Sequence, residues 1–402
     1  MKRTKTVLAF AGVVCAYLCA ASAYADPSKV VIGDIDDMSG PYADVIGPNG
    51  VEAAKMAIAD FGGSALGQPI QLLTFDHQNK PALGVEKFRE WADQNGLTML
   101  LGGSNTGVSL AINAAVKEKK VPFFAIGAAG ASLTGKDCTP YTMHYAYDTT
   151  ALANGTAKTI LSEGGKSWFF LTADYAFGTQ LQDAAASVVK AGGGTVVGAV
   201  RVPLQTSDFA SYLLQAQSSG AQVLGLANAG TDTSNSLKAA NEFGITKTMK
   251  PAALLVFLSD IKAIGLDAAQ GLYLTDGWYW DLNDKTRAFA TRFFAKTNRE
   301  PTMPQAAVYS ATLTYLNAVK AAGSTDPDKV MDELHKAKID DMFTSNGVIR
   351  ADGLLQHDMY VMQVKKPSES KGPWDFYSLV QTMKGEEAFG KLADSTCPLV
   401  KK

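Results

Sequence analysis

Short apolar runs alternate with stretches of helical period along most of this chain, and they do so in two successive series. Lys29–Ile35 (KVVIGDI) is a short apolar run edged by acids and reads as a strand. Val51, Ala54, Ile58 and Phe61 then recur at helical spacing until Gly62-Gly63 stops the helix. Strand Ile70–Phe75, a helix opened by Pro81 and closed at Asn95-Gly96, strand Thr98–Leu101, a helix around Leu110–Lys119 and strand Val121–Ile126 complete the series. That order predicts an α/β fold, a parallel sheet covered by helices on both faces.

A second series begins near Thr149 with a helix to Glu163. Strand Ser167–Thr172, helix Thr179–Ala191, strand Thr195–Val200, helix Phe209–Ser218 and strand Gln222–Ala227 follow, then helix Ser234–Phe243 and strands Ala252–Phe257 and Gly271–Thr275. The expected architecture is two similar α/β units in tandem. Helices at Lys285–Lys296, Pro304–Ala322 and Asp326–Ala337 come next. Phe343–Val364 reads as a hairpin, with VIR, an Asp352-Gly353 turn and MYVMQV.

The start of the chain breaks the alternation. MKRTK carries three basic residues and no acid, an apolar stretch runs from Thr6 to Ala23, and Ala23-Tyr24-Ala25 places small residues at −3 and −1. These are the parts of a cleavable secretory signal over residues 1–25, with cleavage after Ala25; a membrane anchor at 6–23 is the alternative. No other stretch approaches the ~18 uninterrupted apolar residues of a bilayer crossing. The mature protein is therefore expected to be soluble and exported to the periplasm.

Of the 402 residues, 47% are hydrophobic and 19% charged, which excludes a disordered chain, and the length points to two cores. Basic side chains number 37 against 39 acidic ones, with three of the basic ones in the leader, so nucleic acid is not an expected partner. Cys15 and Cys19 leave with the leader. Cys138 and Cys397 remain, and an even pair in an oxidising compartment reads as one disulfide, two free buried thiols being the alternative.

In open parallel sheets, ligands bind beyond the carboxyl ends of the strands. The loops there are DDMSGPY at 36–42, GGSNTG at 102–107, GAAGAS at 127–132, ADYAFG at 173–178, NAGTDT at 228–233 and DGWYWD at 276–281. Their Gly, Ser, Asn, Thr and aromatic residues can turn N–H groups and hydroxyls toward an anion while a ring covers an apolar body. One such loop is no more than a turn between strand and helix; six in register predict an oriented small-molecule cleft.

Catalytic and cofactor motifs fail. GASLTGK at 130–136 approaches a phosphate loop, but Asp137 stands where Ser or Thr must bind magnesium, and Pro140 interrupts the helix that should follow. There is no GxGxxG, GxSxG or HExxH, and His77, His144, His335 and His357 lie far apart as surface or hydrogen-bonded residues. Two distant cysteines do not make a zinc site. A binder with no metal and no cofactor is expected, not a catalyst.

MSGPY at 38–42, LGGSNTGVSLAI at 101–112, VPFFAIGAAGASLTG at 121–135, DYAFGTQ at 174–180 and DFASYLLQAQSSGAQVLGLANAG at 208–230 together resemble the periplasmic solute-binding proteins of ABC transporters. Within them the likeness is to the type I, leucine/isoleucine/valine-binding-protein-like family, and it spans almost the whole mature chain. The resemblance implies two Rossmann-like lobes, 26–146 with 277–354 and 147–276 with 355–402, joined by a three-segment hinge. It also implies a monomer that closes on a small solute and delivers it to a membrane permease. A sensory role, presenting the solute to a chemoreceptor or kinase, is the alternative.

Mapped onto this chain, the family's carboxylate-binding loop offers Ser104, Asn105 and Thr106, and the next loop Gly127, Ala128 and Ala129. Tyr42 is the aromatic near the first helix. The second lobe contributes Tyr175 or Phe177 together with Asn228, Gly230 and Thr231. Amino-acid binders of the family hold the ligand ammonium on an acid after the 252–257 strand. Here Leu254 falls at that position, with Asp260 the nearest acid and Asp232 a second candidate. A buried ammonium without an anion is costly, so a small organic acid, aromatic or aliphatic, or another neutral-to-anionic solute, is expected, with amino-acid binding left to Asp232 or Asp260 as the alternative. Trp278, Tyr279 and Trp280 either stack a ligand ring or pack the hinge.

Overall fold

β1 (Val31–Asp36) is buried along its whole length, as a central parallel strand is when helices cover both faces. In the computed structural model, which describes residues 29–401, β1 lies between β2 (Gln71–Asp76) and β3 (Met99–Gly102). β4 (Phe123–Ala125) and β5 (Thr142–His144) extend this parallel sheet in the order β2-β1-β3-β4-β5. The signal sequence expected over 1–25 lies outside the described residues. Among those described, no helix is long and apolar enough to cross a membrane.

The second sheet repeats the plan. β6 (Ser167–Ala173), β7 (Thr195–Val202), β8 (Val223–Ala227) and β9 (Lys250–Ala253) run parallel in the order β9-β8-β6-β7. In each sheet the strand order reverses beside the unit's first strand. The loops leaving β1 and β3 diverge there, as do those leaving β6 and β8. Such a switch point opens a crevice at the carboxyl ends of the strands.

α1 (Gly47–Phe61) shows how local sequence fixes the connections. Pro48 occupies its first turn, and Gly62, at φ 104°, ends it in the left-handed region while its N–H reaches the carbonyls of Ile58 and Ala59. α2 (Pro81–Gln94) and α3 (Thr106–Lys119) complete the helices of the first series. The helix over 149–162 contains a π-helical segment, Ala153–Ala157, where its face meets β10 (Tyr273–Asp276).

The last part of the chain departs from the expected hairpin. β11 (Lys338–Ile339), β12 (Gly347–Ile349) and β13 (Leu355–Gln356) form a small antiparallel sheet. MYVMQV is β14 (Met359–Val364), and it pairs with β10 and with β15 (Tyr377–Met383), not with VIR. Two residues of β13 suffice to return the chain to β12, which frees β14 to join the other group. His357 sits at this crossing, its Nε2 2.7 Å from the carbonyl of Ala146 at the crossing that follows β5. Cys138 and Cys397 are disulfide-bonded, with Cα atoms 5.7 Å apart.

Candidate functional site

The two switch points face each other, and their loops line a narrow cavity. From the first sheet come Tyr42 and Val45 after β1, Ser104 and Thr106 after β3, and Gly127 and Ala129 after β4, with Tyr147 beyond β5. From the second come Tyr175 and Phe177 after β6, Ala229 after β8, and Leu255 and Phe257 after β9. No side chain on this wall carries a formal charge.

The loops touch across the cavity. The phenol oxygens of Tyr42 and Tyr175 lie 2.5 Å apart. The Thr231 N–H donates to the carbonyl of Pro41 at 3.3 Å. Gln180 holds Ser132 twice, accepting its N–H at 3.0 Å and donating to its hydroxyl at 3.2 Å. Gly230, at φ +61°, is pressed against the Pro41 carbonyl and Tyr42, so glycine is required there twice over.

Buried polar groups behind the first wall set its shape. The Asp37 carboxylate accepts the N–H groups of Gly40 (2.7 Å) and Tyr42 (3.0 Å) and the side-chain amide of Asn79 (2.7 Å). Its own N–H donates to the Ser104 hydroxyl at 3.1 Å. Asp36 accepts the Ser104 N–H at 2.8 Å. Gly127 allows a close approach, since a Cβ there would stand 2.7 Å from Ser104 Cα. The Gly127 carbonyl accepts the Tyr147 hydroxyl at 2.8 Å, and His144 Nε2 lies 2.6 Å from the Ala128 carbonyl.

Burial shifts Asp34, Asp36, His77 and His144 toward their neutral forms. It pushes the Asp36 carboxyl up to about 7 and, with Asp36 beside it, holds Asp34 well above the usual carboxylate range. It lowers His77 and His144 to about 4. The second unit hides its acids in the same manner. Asp260 accepts the Phe257 N–H at 2.9 Å and is raised by burial to about 7. Asp232 takes the Gln205 N–H at 3.0 Å and is raised by burial to about 6.

Of the residues singled out from the sequence, Tyr42, Ser104, Thr106, Gly127, Ala129, Tyr175 and Phe177 meet on the cavity wall. Asn105 instead caps α3, accepting the N–H groups of Gly107 (2.8 Å) and Val108 (3.2 Å). Ala128 is turned behind the wall. Asn228 stays within its own unit, bonded to Thr233 at 2.8 Å and Ser236 at 3.2 Å, while Gly230 and Thr231 press on Pro41. Trp278 lies outside the cavity. Its indole N–H donates to the Met342 carbonyl at 2.9 Å and its ring meets Phe289 edge-on, so it packs a crossing. Tyr279 and Trp280 bond to the Trp374 carbonyl in the same packing.

Val45, Tyr147, Ala229, Leu255 and Phe257 were not singled out, nor were the supporting Asp36, Asp37, His77 and Asn79. Leu255, not Leu254, reaches the cavity, because β9 ends at Ala253 and the chain bends there. FDHQN at 75–79, a polar cluster at a strand's carboxyl end, is the signal that marks His77 and Asn79. Among the described residues no group of His, Cys, Asp and Glu is arranged to hold a metal.

A family model described as periplasmic binding protein matches residues 29–372. A periplasmic binding protein from Burkholderia mallei is 57% identical, with a TM-score of 0.92, over 93% of this chain and 100% of that one. A branched-chain amino acid ABC transporter ligand-binding protein from Burkholderia xenovorans is 42% identical, with a TM-score of 0.81, over 92% of this chain and 100% of that one. A Leu/Ile/Val-binding protein homologue from Brucella abortus is 28% identical over 260 residues, 62% of this chain and 64% of its own length. At 24% identity, a Rhodopseudomonas palustris solute-binding protein solved with p-hydroxybenzoic acid shares the fold, with a TM-score of 0.82 over 91% of this chain and 100% of that one. This chain belongs to the type I periplasmic binding proteins of ABC transporters, a family of small-molecule binders of the leucine/isoleucine/valine-binding kind.

Proposed function

We propose that the chain is the periplasmic receptor of an ABC importer and captures a small organic carboxylate that carries no amine. The observation that carries this reading is the uncharged wall. Hydroxyls and main-chain groups of the first sheet's loops can hold an anion, and aromatic rings can cover its body, but no wall acid is present to hold an ammonium. The aromatic acid bound in the Rhodopseudomonas neighbour fits the same kind of solute.

In this reading residues 26–146 with 277–354 form one lobe and 147–276 with 355–402 the other, and a solute touching both favours the closed arrangement. The Cys138–Cys397 bond returns the chain's end to the first lobe. A leader over 1–25 would deliver the mature receptor to the periplasm.

The test is a thermal-shift screen of refolded mature protein against amino acids, aromatic and branched carboxylates, and their amides. A ligand at a hundredfold excess over its Kd adds about 2.7 kcal/mol of stability. Stabilisation by carboxylates without amines is expected. Stabilisation confined to leucine-like amino acids would overturn the solute assignment.

A further inference from the structure

We propose that His77, behind the cavity wall, is a positioning residue that makes the Ser104 hydroxyl an obligatory hydrogen-bond donor and so selects carboxylates over carboxamides. This rests on the carboxylate reading above.

His77 is fully buried immediately after β2. The backbone N–H of Asn79 donates to its Nδ1 at 2.9 Å, so Nδ1 carries no proton and Nε2 does. Burial holds the imidazole down to about 4, which keeps this neutral tautomer across the neutral pH range. The Nε2–H faces Ser104 Oγ at 3.3 Å, and the Asp37 N–H faces the same oxygen at 3.1 Å.

A serine hydroxyl has two lone pairs and one proton to give. With both lone pairs occupied, Ser104 can only donate. One acceptor in reach is the Asp36 carboxyl, whose Oδ2 has no other partner. The other is a solute oxygen in the cavity that Ser104 lines. A carboxylate supplies such an oxygen in either orientation, whereas a carboxamide supplies one oxygen and two N–H groups. An amide N–H turned to Ser104 meets an oxygen that cannot accept, and a polar group left unpaired in a buried site is strongly disfavoured.

The probes are benzoate with benzamide and 4-hydroxybenzoate with its amide, titrated into mature wild-type protein, His77→Leu and His77→Gln. The wild type is expected to prefer each acid over its amide at least tenfold. His77→Leu, which frees a lone pair on Ser104, should reduce that ratio to threefold or less. His77→Gln, whose amide again supplies an N–H, should restore it. A purely structural role would weaken acid and amide together, so an unchanged ratio in folded His77→Leu overturns the proposal. Nitrogen-15 NMR of the wild-type imidazole tests the same arrangement without substitution. Nε2 should be protonated and Nδ1 bare at pH 7, and the opposite tautomer overturns it. A wild type that binds neither these acids nor any other carboxylate of the thermal-shift panel overturns the carboxylate reading, and this inference with it. Acids bound without preference over their amides overturn the role of His77 alone.

Discussion

The two walls of the cavity come from sheets of the same strand order yet are built of different chemistry. The first wall presents Ser104, Thr106 and Gly127 beside Tyr42, Val45, Ala129 and Tyr147, and is braced from behind by Asp36, Asp37, His77 and Asn79 through hydrogen bonds of 2.7–3.3 Å. The second presents Tyr175, Phe177, Ala229, Leu255 and Phe257, held mainly by packing. Hydrogen bonds fix direction, and apolar contact contributes affinity without fixing direction. Under the proposed function, orientation of the solute falls to the first wall and coverage to the second.

The strongest way to break this division is Phe177→Ala. Loss of a buried phenylalanine costs about 3–5 kcal/mol of folding stability. The widened second wall should weaken benzoate binding while admitting a larger acid such as 2-naphthoate, read by calorimetry. A benzoate affinity left intact would remove Phe177 from the covering wall.

Gly127→Ala attacks the other wall. The added Cβ would meet Ser104 Cα at 2.7 Å, and such overpacking costs about 1–3 kcal/mol. Because it displaces the orienting loop, affinity should fall for every carboxylate alike, with no change in size preference. A size preference altered like that of Phe177→Ala would erase the distinction between the walls.

Tyr175→Phe removes a phenol pair that joins the walls, 2.5 Å long. A hydrogen bond of this kind contributes about 0.5–1.5 kcal/mol, so Kd should rise by no more than about tenfold. The melting temperature with bound solute should drop more than that without it.

Asp260→Asn should have the smallest effect on affinity, because Asp260 bonds Phe257 from behind and is not on the wall. Its carboxyl is raised to about 7 in the folded protein. The stability it lends is therefore complete below its unfolded value near 4 and is lost as pH rises through 7. Denaturant titrations should show the variant gaining on the wild type between pH 4 and pH 8. A constant difference across that range would contradict the buried, protonated carboxyl.

The fold was legible because its signals are long and repeated. Strand and helix periods alternate over both units, and the glycine- and hydroxyl-rich loops fall at the strand ends where the cavity forms. Short or exposed strands left no such signal. β5 is three residues, two of them polar or titratable, and β15 is exposed along most of its length, so neither shows an apolar run in the sequence. The site was legible as loops rather than as side chains. Asn105 and Asn228 have the composition of ligand contacts but satisfy a helix end and a neighbouring threonine. Leu255 displaced Leu254 because a bend after Ala253 shifts the register by one, which no period in the sequence marks. His77 reaches Ser104 only through the pairing of β1 with both β2 and β3, a contact between distant parts of the chain.

The most direct test of the uncharged wall is calorimetric titration of matched pairs that differ only by an ammonium group: 4-methylpentanoate against leucine, and phenylacetate against phenylglycine. The account predicts that the acid of at least one pair binds tenfold or more tightly than its amino-acid partner. Tighter binding of leucine or phenylglycine than of the corresponding acid would contradict it.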